Sequence, residues 1–105
     1  MKLTHFIGRA CIGLVAAMAA QNAVADLALA QKSGCTVCHS VDAAIVGPAY
    51  KDVAAKYKGD AAAAGTLAAK VKAGGVGVWG QIPMPPNVAV SEADIKTLVT
   101  WILSL

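Results

Sequence analysis

Cys35-Thr36-Val37-Cys38-His39 carries the chemistry of this chain. The pattern C-x-x-C-H is the attachment signature of a c-type haem. Two thiols that add to the vinyl groups of one porphyrin must lie a short, fixed distance apart, and two intervening residues let one helical turn supply both. The next residue, His39, is carried under the porphyrin face, where a neutral imidazole can bind iron. A haem fixed in this way has one axial position still open. Met84 lies far enough downstream to wrap to the opposite face, and it is the one methionine after residue 25. A thioether on iron raises the reduction potential relative to a second histidine.

The rest of the sequence holds no competing ligands. Cys11, His5, Met1 and Met18 fall in residues 1–25, so Cys35, Cys38, His39 and Met84 are all the Cys, His and Met of residues 26–105. Residues 1–25 read as a cleaved Sec signal peptide. Lys2 and Arg9 form its positive start, Ala10 to Ala20 is apolar, and Ala23-Val24-Ala25 is an A-x-A cleavage site. The apolar run is short for a membrane span, which needs about 20 residues. The expected location is therefore the periplasm, with a mature domain of residues 26–105. An oxidising compartment suits two cysteines consumed as thioethers.

Charge and size narrow the reading further. The whole chain has formal net charge +3, but beyond residue 25 seven lysines face six acids. Two haem propionates would bring that balance to zero or below. No basic groove for nucleic acid is in prospect, and stacking aromatics are too few. Much of the 57% hydrophobic content is alanine or signal peptide. A domain this small has a thin core, and a buried haem would supply the missing apolar volume.

Helices must position the motif. Asp26 can cap a short helix to about Lys32. Gly47-Pro48 punctuates a loop from Ser40 to Ala49. A helix is expected over Tyr50 to Lys58, ended by Gly59. A second, alanine-rich helix capped by Asp60 should run to about Ala73. Gly74, Gly75, Gly77 and Gly80 open a loop that runs through Pro83, Pro85 and Pro86 to Val90. Ser91 and Asp94 suggest the start of a last helix. Along it Ile95, Leu98, Val99 and Ile102 form one apolar stripe. No alternating strand pattern of useful length is present. The expected fold is a small all-α bundle wrapped on its cofactor.

With these residues in place, a resemblance can be stated. Cys35 to His39, Val46-Gly47-Pro48-Ala49-Tyr50-Lys51-Asp52-Val53-Ala54, Gly77-Val78-Trp79-Gly80, and Pro83-Met84-Pro85-Pro86-Asn87 resemble the small bacterial periplasmic class I cytochromes c of the c-551 type. The resemblance covers nearly all of residues 26–105. It implies the class I cytochrome c fold around one covalent haem c with His39 and Met84 as metal ligands. It also implies one-electron transfer in a respiratory chain, often to a nitrite reductase in denitrification or to a terminal oxidase. The resemblance assigns Pro48 as the carbonyl acceptor that orients His39 and Trp79 as an indole donor to a propionate. Lys70 stands where relatives often carry a basic residue near a propionate, and Asn87 bonds near the methionine loop. Tyr50 and Trp101 are expected in the core or against the haem. The implied partners are redox proteins in brief complexes, with the protein a monomer. Lys32 and Lys51 are candidates for steering those partners.

Three other chemistries fit parts of the pattern. A thiol–disulfide oxidoreductase could use Cys35 and Cys38, but it wants strands around a helix start and leaves His39 and Met84 idle. A haem sensor or peroxidase-like protein would need a labile Met84. A structural zinc site would lack a fourth clustered ligand.

Overall fold

A computed structural model describes residues 23–105. The positive start and apolar run of the expected signal lie outside the described residues. Residues 23–32 are helical (α1), and a 3-10 turn follows at Cys35–Val37. Then come α2 (Tyr50–Lys56), α3 (Ala63–Ala73) and α4 (Glu92–Leu103). The described residues contain no strand, only isolated bridges between His39 and Ala44 and between Gly75 and Met84.

The helix boundaries follow local chemistry, with three departures from the sequence reading. Residue 23 is already helical, so Asp26 lies inside α1 and does not cap it. Alanines at 23, 25 and 28 favour helix on both sides of Asp26. At the other end Gly34 adopts φ 80°, the left-handed conformation that stops a helix, and hands the chain to Cys35. α2 ends at Lys56, two residues before the expected Lys58. The Lys58 N–H bonds the Ala55 carbonyl at 3.4 Å in a tighter turn before Gly59. Asp60 accepts a hydrogen bond from Ala62 N–H at 2.9 Å, but regular α3 opens only at Ala63.

α4 starts as expected. Ser91 Oγ accepts from the Asp94 N–H at 3.1 Å, and Glu92 and Asp94 lie in the first turn, where carboxylates oppose the positive helix end. We expect Ser91→Ala to lower the stability of the haem-loaded protein by about 1 kcal/mol, read from urea unfolding.

The core forms as two clusters, and α4 serves both. One gathers Ala30, Tyr50, Leu98 and Trp101, with Leu27, Leu29 and Cys35 at its edge. The other gathers Val53, Leu67, Ile95 and Val99. Ile102, the last member of the predicted stripe, is half-buried and packs against both. Tyr50 and Trp101 meet edge to face, with centroids 5.6 Å apart. The first cluster therefore braces the haem motif from behind through Cys35 and Tyr50.

Candidate haem site

Gly34 delivers the chain into a turn that closes twice on one carbonyl. The N–H groups of Cys38 and His39 bond Cys35 O at 3.2 and 3.0 Å. This turn sets the spacing of the two sulfur atoms and the direction of His39. The cysteines are half-buried and form no disulfide. Burial raises the Cys35 thiol pKa above its ordinary value, and a hydrogen bond with Tyr50 only partly opposes this. The Tyr50 hydroxyl is also pushed up, first by burial and then by Cys35. A redox-active C-x-x-C needs the opposite shift, toward thiolate. That shift, together with the lack of strands among the described residues, counts against the thiol–disulfide reading.

His39 is held on several sides. Its Nδ1 lies 2.8 Å from the Pro48 carbonyl. A carbonyl can only accept, so Nδ1 carries the proton and Nε2 keeps its lone pair for a metal. The Tyr50 ring stacks on the imidazole at 5.1 Å between centroids and 20° between planes. Gly47 crowds the ring as well: a Cβ there would lie 2.8 Å from Nδ1 and 3.0 Å from Nε2. The backbone locks this arrangement, with Gly47 N–H bonding Cys38 O at 2.7 Å and Tyr50 N–H bonding Ser40 O at 2.9 Å.

Met84 belongs to a second group, built on the end of α3. Gly75 and Met84 exchange backbone hydrogen bonds of 3.1 and 2.8 Å. Gly74, with φ 76°, allows that approach, because a Cβ there would lie 2.6 Å from the Met84 carbonyl. Asn87 N–H and Nδ2 both donate to Val71 O, at 3.2 and 3.0 Å, and Nδ2 also reaches Pro85 O at 3.3 Å. Lys70 is half-buried and lays its stem over Gly75; a Cβ there would lie 3.3 Å from Lys70 Cε. Trp79 is 43% exposed, and Lys56 Nζ stands 5.5 Å from its ring centroid. Cys35, Cys38, His39 and Pro48 thus form one group, and Met84, Asn87 and Lys70 another. No hydrogen bond joins the two groups among the described residues.

Exposed apolar side chains show what these groups suit. Of the ten large apolar residues that are exposed among the described residues, Val37, Ile45, Val46, Val76, Val78, Trp79, Ile82 and Val88 lie in the segments bearing the cysteines and Met84. Uncovered apolar side chains concentrated in those two segments are what a large apolar ligand would cover. A large planar apolar group with sulfur, imidazole and thioether anchors matches them, so the residues present fit a haem. A bare metal ion does not match. Among the described residues, no three His, Cys, Asp or Glu side chains gather to hold one.

Sequence reasoning missed several contacts. Gly47 was legible only as loop punctuation, and the stacking of Tyr50 on His39 and of Lys56 on Trp79 carried no sequence signal. Lys51, a candidate for partner steering, is paired with Asp42 at 2.6 Å, which reduces its free charge.

Helices without strands among the described residues, a C-x-x-C-H turn and exposed apolar side chains beside it define a haem-bearing electron-transfer protein, and the chain belongs to the cytochrome c family. The family model for cytochrome c matches residues 27–105. Cytochrome c-551 of Allochromatium vinosum is 78% identical over 86 residues, which are 82% of this chain and 92% of that protein. Cytochrome c-552 of Nitrosomonas europaea is 57% identical over 90 residues, covering 86% of this chain and 87% of that one. The crystal structure of wild-type Nitrosomonas europaea cytochrome c552 gives a TM-score of 0.74 at 58% identity, over 75% of this chain and 98% of the other. The chain is accordingly a haem c electron carrier and not an enzyme, with one haem attached through Cys35 and Cys38. No helix among the described residues is long and apolar enough to cross a membrane.

Proposed function

We propose that this protein is a periplasmic one-electron carrier of a respiratory chain, with iron held between His39 Nε2 and the Met84 sulfur. The observation that carries this reading is the 2.8 Å contact of His39 Nδ1 with the Pro48 carbonyl. That bond fixes the tautomer, leaves the Nε2 lone pair for iron and raises the basicity of the imidazole. Residues 1–25 would direct export and be removed.

The haem, when bound, supplies the Fe(II)/Fe(III) couple through which one electron enters and leaves. The protein's part is to keep the ligands still while charge changes. Tyr50 and Gly47 confine the His39 ring. Pro83, Pro85 and Pro86 fix φ around Met84, leaving little loop entropy to lose. With His39 and Met84 both holding the iron, no substrate would reach it. Trp79 and Lys70 would meet the propionates, and Asn87 would steady the methionine loop. Docking with an upstream cytochrome complex and a downstream nitrite reductase or terminal oxidase would be brief and small in area. The protein would act as a monomer.

An optical spectrum of protein matured with haem-attachment machinery tests the reading. We expect sharp reduced c-type bands together with a weak far-red sulfur-to-iron band in the ferric form. A c-type spectrum without the far-red band would remove Met84 from the iron. It would favour a sensor or peroxidase-like protein with an open site.

A further inference from the structure

We infer that Lys72 is a positioning residue for Met84: a latch that holds segment 84–90 against the end of α3 and slows exchange of the iron's sixth ligand. The link to exchange rests on the proposed Met84 ligation. The latch itself rests on geometry.

Lys72 sits in the last turn of α3. Its Nζ donates to Val90 O at 3.0 Å and to Val88 O at 3.3 Å. The preceding residue works in the other direction, since Val71 O accepts both from Asn87 N–H and from Asn87 Nδ2. Adjacent positions of one helix therefore offer an acceptor at 71 and a donor at 72 to three residues just beyond Met84. On the near side, Met84 is tied by its backbone pair with Gly75. The methionine is bracketed.

The prolines explain why a side chain is needed here. Pro85 and Pro86 have no N–H, so the backbone directly after Met84 cannot donate to anything. The chain then turns toward Ser91 and α4, with the Val90 N–H already spent on Asn87 O. The carbonyls of Val88 and Val90 precede the helix and belong to no helical ladder. A lysine ammonium has three donors and no acceptor, which suits two such carbonyls at once. The sole ion pair among the described residues is Lys51 with Asp42, so these carbonyls are the partners on which the Lys72 ammonium depends.

The test uses haem-loaded protein in four forms: wild type, Lys72→Met, Lys72→Arg and, as a charge control on α4, Lys96→Met. Two rates are read: amide hydrogen exchange at Met84 and Asn87, and cyanide binding to the ferric form. Lys72→Met is expected to speed both by about three- to tenfold, the range expected for losing a modest hydrogen-bonded tie. Lys72→Arg should restore them, and Lys96→Met should leave them at the wild-type value. Unchanged exchange at both amides in Lys72→Met would overturn the latch. Faster exchange with unchanged cyanide binding, in protein whose far-red band is present, would overturn its control of the sixth position. A missing far-red band in wild type would sink Met84 ligation separately, while the exchange rates would still decide the latch.

Discussion

Replacing Met84 with histidine is expected to lower the reduction potential by on the order of 0.2 V, a part of the roughly 0.8 V that axial ligands span. The far-red band should vanish with it. A thioether is a soft, weakly donating ligand that favours Fe(II), whereas an imidazole donates more strongly and favours Fe(III). The loop is well placed for such an exchange, because its backbone is set by the Gly75 pair and by Asn87, not by the methionine side chain. The variant should therefore fold, and its potential can be read by spectroelectrochemical titration. An unchanged potential would mean that Met84 is not on the iron.

Two glycine-to-alanine substitutions should act with opposite sign. Gly47→Ala is expected to destabilise the haem-loaded protein by about 3 kcal/mol, combining overpacking with damage to the Pro48 hydrogen bond. The new methyl would lie 2.8 Å from His39 Nδ1. The ring has little freedom to retreat, with Tyr50 stacked on it and Nδ1 fixed to Pro48. Gly47 is held in turn through its N–H on Cys38 O and its carbonyl to Ile45 N–H. Gly65, inside α3, has nothing within 4 Å of where its Cβ would be. There alanine should stabilise by about 0.5–1 kcal/mol through the unfolded chain and helix propensity. Guanidinium unfolding of both variants decides the matter. Equal effects would show that the crowding at His39 is relieved by small shifts.

The sequence made legible whatever is local. The C-x-x-C-H turn, the glycine-bounded helices, the Ser91 cap and the stripe on α4 each depend on neighbours within a few positions. What stayed hidden depends on distance along the chain. Lys72 meets Val88 and Val90 sixteen and eighteen residues away. No spacing rule links a lysine at a helix end to those carbonyls. Gly47 carries no side chain to betray a role, and its value lies in the space it leaves for His39. Asp26 misled for a different reason. A capping residue type was available, but an alanine-rich segment was already helical without it.

The dependence of both core clusters on α4 sets an order of events during synthesis. Leu98 and Trp101 are needed for one cluster and Ile95 and Val99 for the other, and among the described residues α4 follows the other helices in chain order. A nascent chain that has reached only α3 can bury neither set. It can gain little against the entropy of ordering its backbone. Until α4 is added, neither cluster has the partner that closes it, and the chain made so far would stay open.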